Sequence, residues 1–377
     1  MEAKFYGSGG VNSVHVVRPG NNMFVARSAH GDRSTLSLRN GGVMVVTFGR
    51  DRGFVQRPMP GRFGYFQRTS LVNGQPAARV YRFGNYRGVI YFRPVPAVRY
   101  QPQFYQWASS SWRSPVGYTW SGPQAQAAGY YSSYFTPSPS YSSPSAWLTD
   151  YVLTSSLQVA YQNRQEYPPT PGAAAPDQAS AQPAPVSPEV KEAIAQEVQA
   201  EVTQEQAEAS QGGTGAANGQ ALPPVLDPNQ RTVLVSQSLD VPAGTATCAL
   251  TAGDVVNRSG DNLLPGNKVA VNVVSSKAGD CPANTSTQID LAVLQEMHNQ
   301  FQEQIDAGLS TLASSQGSGG LPSGPVANGV PTPDGTAQPD RDVVATLAQQ
   351  QSEADNAEAT ATDGANAVGS GGSTTAM

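Results

Sequence analysis

The sequence predicts a mainly β protein with accessory helices, assembled as a mosaic with long unpacked connections. Three observations predict it. Turn residues punctuate the first hundred positions, a second series of short β-type runs follows Arg231, and Pro-, Gly- and Gln-rich stretches separate and follow the two. With 38 Gly, 30 Pro and only 14% charged residues in 377, much of the chain is expected to stay outside any packed core.

The net charge of −5 conceals a division. Up to Gln165 there are 17 Lys+Arg against 4 Asp+Glu; from Glu166 onward there are 6 against 24. The two halves should attract each other or different partners. Aromatic residues divide the same way, with Phe301 alone beyond Pro168. Sixteen of the 17 basic residues in the front part are Arg, which suits bidentate anion contacts and stacking on rings.

Residues 1–145 form the Arg- and aromatic-rich β region. Its turns fall at Pro19 to Asn22, His30 to Asp32, Arg39 to Gly42 and Arg50 to Gly53, and between them lie the strand formers Met23 to Arg27, Ser34 to Leu38 and Val43 to Phe48. That spacing predicts a β-meander, with Asn40 and Gly41 suited to a two-residue type I′ hairpin. Asn73 and Gly74 would join a further pair, Tyr65 to Val72 and Gln75 to Phe83. From Val89 to Tyr141, Pro94, Pro96, Pro102, Pro115, Pro123, Pro137 and Pro139 interrupt regular elements, and rings stand between serines and glutamines. Such a segment should wrap over an apolar surface, because so many rings left in water would drive association.

Residues 146–165 read as a helix apolar on more than one side, hence sandwiched between elements. Residues 166–230 read as an acidic linker containing a spacer helix over 188–209. Ser187 caps it, Pro188 and Glu189 start it, and Val190, Ile194, Val198 and Val202 leave only a thin apolar stripe.

Residues 231–313 read as a compact module of four short strand-like runs. In the last, Lys268 to Ser275, Val269, Val271 and Val273 share one face. Asp290 stands where a cap would, and Leu291, Leu294, Met297, Phe301, Ile305, Leu309 and Leu312 follow at helical spacing. So small a module has little apolar surface to bury. Its only cysteines, Cys248 and Cys281, lie 33 positions apart, and bridging them would contribute about 3.7 kcal/mol. Two buried free thiols are the alternative. Residues 314–377 read as a disordered tail with a short helix over 341–358.

The run Leu250-Thr-Ala-Gly-Asp254 resembles the Leu-x-x-Gly-Asp turn of SH3-like barrels. With Trp147 to Tyr151 and Ser187 to Ile194, the module resembles a group of uncharacterised exported bacterial proteins that carry a Tyr/Pro-rich front half, a linker and a two-cysteine SH3-like domain. The resemblance implies an SH3-like barrel and export. It carries no activity and no catalytic residue. A periplasmic or extracellular location is expected on this ground and from the disulfide, although Met1 to Phe5 lacks a signal-peptide pattern, so the start would lie upstream.

No phosphate-binding loop, dinucleotide fingerprint, His-Glu-x-x-His or Gly-x-Ser-x-Gly occurs, and His15, His30 and His298 are too scattered for a metal cluster. The sequence therefore points away from an enzyme, a cofactor or a metal, and toward binding. Three binding readings stand. The first is a non-catalytic envelope protein that holds another protein or a cell-wall polymer. The second is a polyanion or nucleic-acid binder using Arg50, Arg52, Arg57, Arg62, Arg68, Arg82 and Arg87 among aromatic rings, with export arguing against nucleic acid. The third is a carbohydrate binder that stacks sugars on Trp107, Trp112 and Trp120, whose plainer alternative is burial under the Pro-rich wrap.

Overall fold

The computed structural model describes residues 1–5, 11–28, 31–49, 52–72, 74–166, 183–210, 222–332, 335 and 337–370. In chain order the elements begin with strands β1 (Glu2–Phe5), β2 (Val11–Arg18), β3 (Asn21–Arg27), β4 (Arg33–Arg39), β5 (Val43–Phe48), β6 (Gly53–Pro58), β7 (Tyr65–Val72), β8 (Gln75–Tyr86), β9 (Val89–Pro94) and β10 (Val98–Arg99). Then come helix α1 (Pro102–Ala108), β11 (Val116–Gly117), α2 (Gly122–Tyr130), β12 (Ser140–Tyr141), α3 (Pro144–Glu166) and α4 (Pro188–Ser210). The remainder comprises β13 (Thr232–Leu234), β14 (Leu239–Ala243), β15 (Ala246–Leu250), β16 (Val255–Arg258), β17 (Lys268–Ser275), β18 (Ser286–Asp290), α5 (Leu291–Ser314), β19 (Val330–Pro331) and α6 (Val343–Ser370). The chain divides into two compact units, one of Met1–Ala78, Glu166–Pro176 and Ala337–Met377, the other of Arg79–Gln165 and Asp177–Thr336.

In the first unit β1 to β7 follow one another as an antiparallel meander. Alternation sets its two faces. Val14, Val16, Met23 and Val25 pack under Ala354, Ala357 and Ala361 of α6, while Val45 and Val55 pack under Val343 and Leu347. Alanines on α6 let the helix lie close to the sheet. Within the tail expected to be disordered from residue 314, with a short helix over 341–358, α6 instead runs Val343–Ser370, and its Ala354, Ala357 and Ala361 belong to this core. The β4–β5 connection also differs from the expected two-residue turn. Arg39 pairs with Val43 across a three-residue loop, and both Gly41 and Gly42 take positive φ, 77° and 72°, a conformation that glycine alone adopts without a Cβ clash. Asn73 lies outside the described residues.

The second unit has two apolar clusters. One gathers Trp147, Leu148, Val152, Leu153 and Leu157 of α3 with Ile194, Val198 and Val202 of α4 and Phe301, Ile305, Leu309 and Leu312 of α5. Gly308 makes the approach of α3 and α5 possible, since a Cβ there would come within 2.5 Å of Leu148. Against this cluster lie Phe104, Tyr105, Tyr134, Phe135 and Tyr141 of the Pro-rich segment. The helix expected as a solvated spacer is therefore a core element, with Val198 fully buried.

The other cluster fills the two-cysteine module. Val233, Val256, Val269, Val271, Val273 and Ile289 pack on Leu291, Leu294 and Met297 of α5, with Val89, Val225 and Leu226 completing it. The module is not the SH3-like barrel that the sequence suggested. Strands β13, β16, β17 and β18 form an open four-stranded sheet, and β14 and β15 form a separate hairpin, so no barrel closes. Asp290 does stand at the start of α5, but its side chain makes no capping hydrogen bond. Instead Asp290 ends β18, paired with Lys268, and the Leu291 amide donates to the Asn267 carbonyl at 2.9 Å.

Candidate functional site

The arginines proposed for anion binding fall into different settings. Arg52, Arg57, Arg62 and Arg68 belong to the first unit, Arg82 and Arg87 to the second, and Arg50 lies outside the described residues, as does His30. Arg68 is buried over the Phe54 ring at 3.8 Å and donates to Gln56 Oε1 at 3.0 Å. Arg62 lies over Tyr65 at 4.2 Å and Arg87 over Tyr86 at 5.3 Å. Arg57 Nε donates to Asp340 Oδ2 at 2.7 Å, and Arg52 stands 4.0 Å from Glu166. Arg82 is 7% exposed.

Three arginines not singled out in the sequence do converge, and on carboxylates of the same chain. Arg27 and Arg33 are direct cross-strand partners, an arrangement that repels unless neutralised. Glu358 of α6 answers both. Arg27 Nε donates to its Oε1 at 2.5 Å and Arg33 Nη1 to its Oε2 at 3.1 Å, while Arg33 also pairs with Asp355. Arg39 lies 3.6 Å from Glu353, and Gln350 Nε2 donates to the Val45 carbonyl at 2.8 Å. The acidic C-terminal helix thus seats on the basic face of the meander.

The opposite face of β2, β3 and β4 is different. His15 pairs with Phe24 and Phe24 with Leu36; Val17 pairs with Asn22 and Asn22 with Leu38. These two ladders put Val17, Phe24, Leu36 and Leu38 in solvent at 68%, 45%, 37% and 49% exposure. Ser13, Ala26 and Ser34 share the face by alternation; β2, β3 and β4 place no Asp, Glu, Lys or Arg on it, while β1 brings Glu2 and Lys4 to its edge opposite His15 and Ser13.

The three tryptophans are half-buried, and each packs against the same apolar cluster of the second unit. Trp107 is 6.2 Å from Trp112, and Trp120 stacks on the fully buried Trp147 at 5.6 Å while its indole N–H donates to Tyr141 Oη at 2.8 Å. Tyr141 in turn donates to Asp150, which is fully buried and also takes Lys191 of α4 at 2.5 Å. Trp120 thus packs on Trp147 and Tyr151 of α3, and Trp107 on Phe104 of α1.

Cys248 and Cys281 form a disulfide. Beside it lies a buried trio that the sequence did not reveal: Asp254, Lys277 and Asp280, each at most 5% exposed. Lys277 Nζ contacts Asp254 Oδ1 and lies 3.2 Å from Asp280 Oδ2. Asp254 also accepts from the Thr251 amide at 2.8 Å and the Lys277 amide at 3.1 Å, and Thr251 Oγ1 donates to Asp280 at 2.7 Å. Burial, then the nearby Asp280, raises Asp254 to about 8 against the pull of Lys277. Burial works against the Lys277 ammonium, but the two carboxylates prevail and hold its pKa up. The ring of Tyr134 stands 5.4 Å from Nζ, and its hydroxyl donates to the Gly253 carbonyl at 2.7 Å.

A second polar seam runs between α4 and α5. Glu197, Glu201 and Glu205 recur every four residues, so they share one face of α4. Glu201 meets His298 Nε2 at 3.2 Å and accepts from Gln302 at 2.7 Å. Burial would raise Glu201, but His298 and Gln302 hold it below the usual carboxylate range. Burial raises Glu197 to about 7 although the Thr232 amide donates to it at 2.7 Å. Burial, then Asp306, holds Glu205 well above the carboxylate range. Every-fourth glutamates signal a seam only when a second helix is known to face them. Among the described residues no group of three His, Cys, Asp or Glu could hold a metal ion, and no helix is long and apolar enough to cross a membrane.

No family model, curated protein or solved structure matches this chain.

Proposed function

We propose that this is a non-catalytic exported or cell-envelope protein that binds another envelope protein through the open face of its N-terminal meander. One observation carries this reading: α6 seals one face of β2 to β4, whereas the other displays Val17, Phe24, Leu36 and Leu38. A contiguous apolar patch on a sheet is the composition of a protein-binding surface. The centre of that face is apolar, with charge only at its β1 edge through Glu2 and Lys4, which favours an apolar protein partner over an anionic polymer. Of the arginines named for polyanion binding, Arg57 meets Asp340, Arg52 stands by Glu166, and Arg68 and Arg82 are buried, which weakens the polyanion reading. The disulfide supports an oxidising compartment.

Co-sedimentation of the full chain with envelope fractions tests the reading. The wild type is expected in the pellet, while Phe24→Glu/Leu38→Glu stays in the supernatant with an unchanged circular dichroism spectrum, and protease treatment of the envelopes abolishes wild-type retention. Retention that survives protease and is reproduced by purified wall polymer would replace the protein partner with a polymer. Wild type that never pellets would overturn the proposal.

A further inference from the structure

The Asp254, Lys277 and Asp280 trio has the components of a self-forming amide cross-link. Asp254 immediately precedes β16 and Lys277 follows β17 by two residues, and these strands are antiparallel neighbours with Val255 opposite Ser275. The register therefore brings the carboxyl and the amine together at one end of the sheet, already in contact. An ion pair in so dry a place is costly, because two desolvated charges lose their hydration. With two carboxyls beside one ammonium, the trio is neutral only when one carboxyl keeps its proton, and burial with Asp280 nearby favours that at Asp254.

We propose that Lys277 Nζ and Asp254 Cγ condense to an intramolecular isopeptide bond, with Asp280 as the proton acceptor. Asp254, raised by its burial and by Asp280, retains its proton and presents a neutral acid, the better electrophile. Asp280 stands 3.2 Å from Nζ and takes one hydrogen of the ammonium, which frees the nitrogen lone pair. Nζ attacks Asp254 Cγ, and the C–OH bond breaks. Of the three ammonium hydrogens, one remains on the amide, one leaves with the hydroxyl as water and one ends on Asp280, so no oxidant or cofactor is needed. Held contact supplies the proximity that such a reaction lacks in solution. The product replaces three buried charged or proton-sharing groups with a neutral amide and a neutral acid. Thr251 and Lys277 amides donating to the Asp254 carboxyl fix its orientation. The tie would lie beside the disulfide, joining β16 to β17 as Cys248 and Cys281 join β15 to the segment between β17 and β18.

Intact mass spectrometry of the full chain, after reduction and denaturation, tests it. The wild type is expected to weigh one water less than its sequence, and the tryptic peptide bearing Asp254 should remain joined to the one bearing Lys277, uncut after Lys277. Lys277→Arg and Asp280→Asn should both return the full sequence mass. Wild type at full mass, with trypsin cutting after Lys277 and separate peptides, would overturn the cross-link and leave a buried ion pair. So would a loss of water located at any other pair of residues.

Discussion

Different forces hold each of the two units together internally. In the first, the apolar contacts between sheet and helix are thin, made by a few valines against the alanines of α6, and much of the remainder is charge: Glu358 between Arg27 and Arg33, and Asp340 on Arg57. In the second, Trp147 and a row of leucines lie in a thick apolar core, and a disulfide pins the adjoining module. The comparison teaches that the opposite charges of the two ends of this chain are spent on folding. A basic front half and an acidic tail, which in the sequence suggest external partners, meet each other first.

The sharpest way to break the comparison is to remove apolar volume from the second unit. Trp147→Ala leaves a large cavity and is expected to cost about 3–5 kcal/mol in denaturant unfolding. Replacing both Cys248 and Cys281 by Ala should cost about 2–5 kcal/mol in the same unit, read as a lower denaturant midpoint of the module's signal. Arg33→Ala should cost less, about 1.5–3 kcal/mol, through loss of charge-assisted hydrogen bonds to Glu358 and Asp355, and should act on the first unit. The α4–α5 seam should show a pH signature. Because Glu197 is raised from 4.5 to about 7 in the folded protein, its stabilisation is complete below about 4.5 and is lost as pH rises through 7. Glu197→Gln should flatten that part of the stability profile measured by thermal unfolding.

Local signals were legible in the sequence, and pairings between distant residues were not. The meander could be anticipated because turn chemistry and alternation act over a few residues, and Met23, Val25 and Val45 face the core as alternation requires. The two cysteines were enough to suggest a bridge in a small module. By contrast, Arg27 and Glu358 are 331 positions apart, and nothing near either residue names its partner. Glu197, Glu201 and Glu205 look like the wet side of a spacer until α5 supplies His298, Gln302 and Asp306. The Leu-x-x-Gly-Asp turn misled about the barrel for a related reason. Asp254 is satisfied by the Thr251 and Lys277 amides within an open sheet, so the same turn forms without closure.

The division of labour between charge and apolar packing is tested most directly by amide hydrogen exchange on Glu358→Gln. That change keeps the shape of the side chain and removes the charge facing Arg27 and Arg33. The account predicts that protection falls along Val343–Ser370 while β16, β17 and α5 exchange as in the wild type. Equal protection of α6 in variant and wild type, or a loss shared by both units, would contradict it.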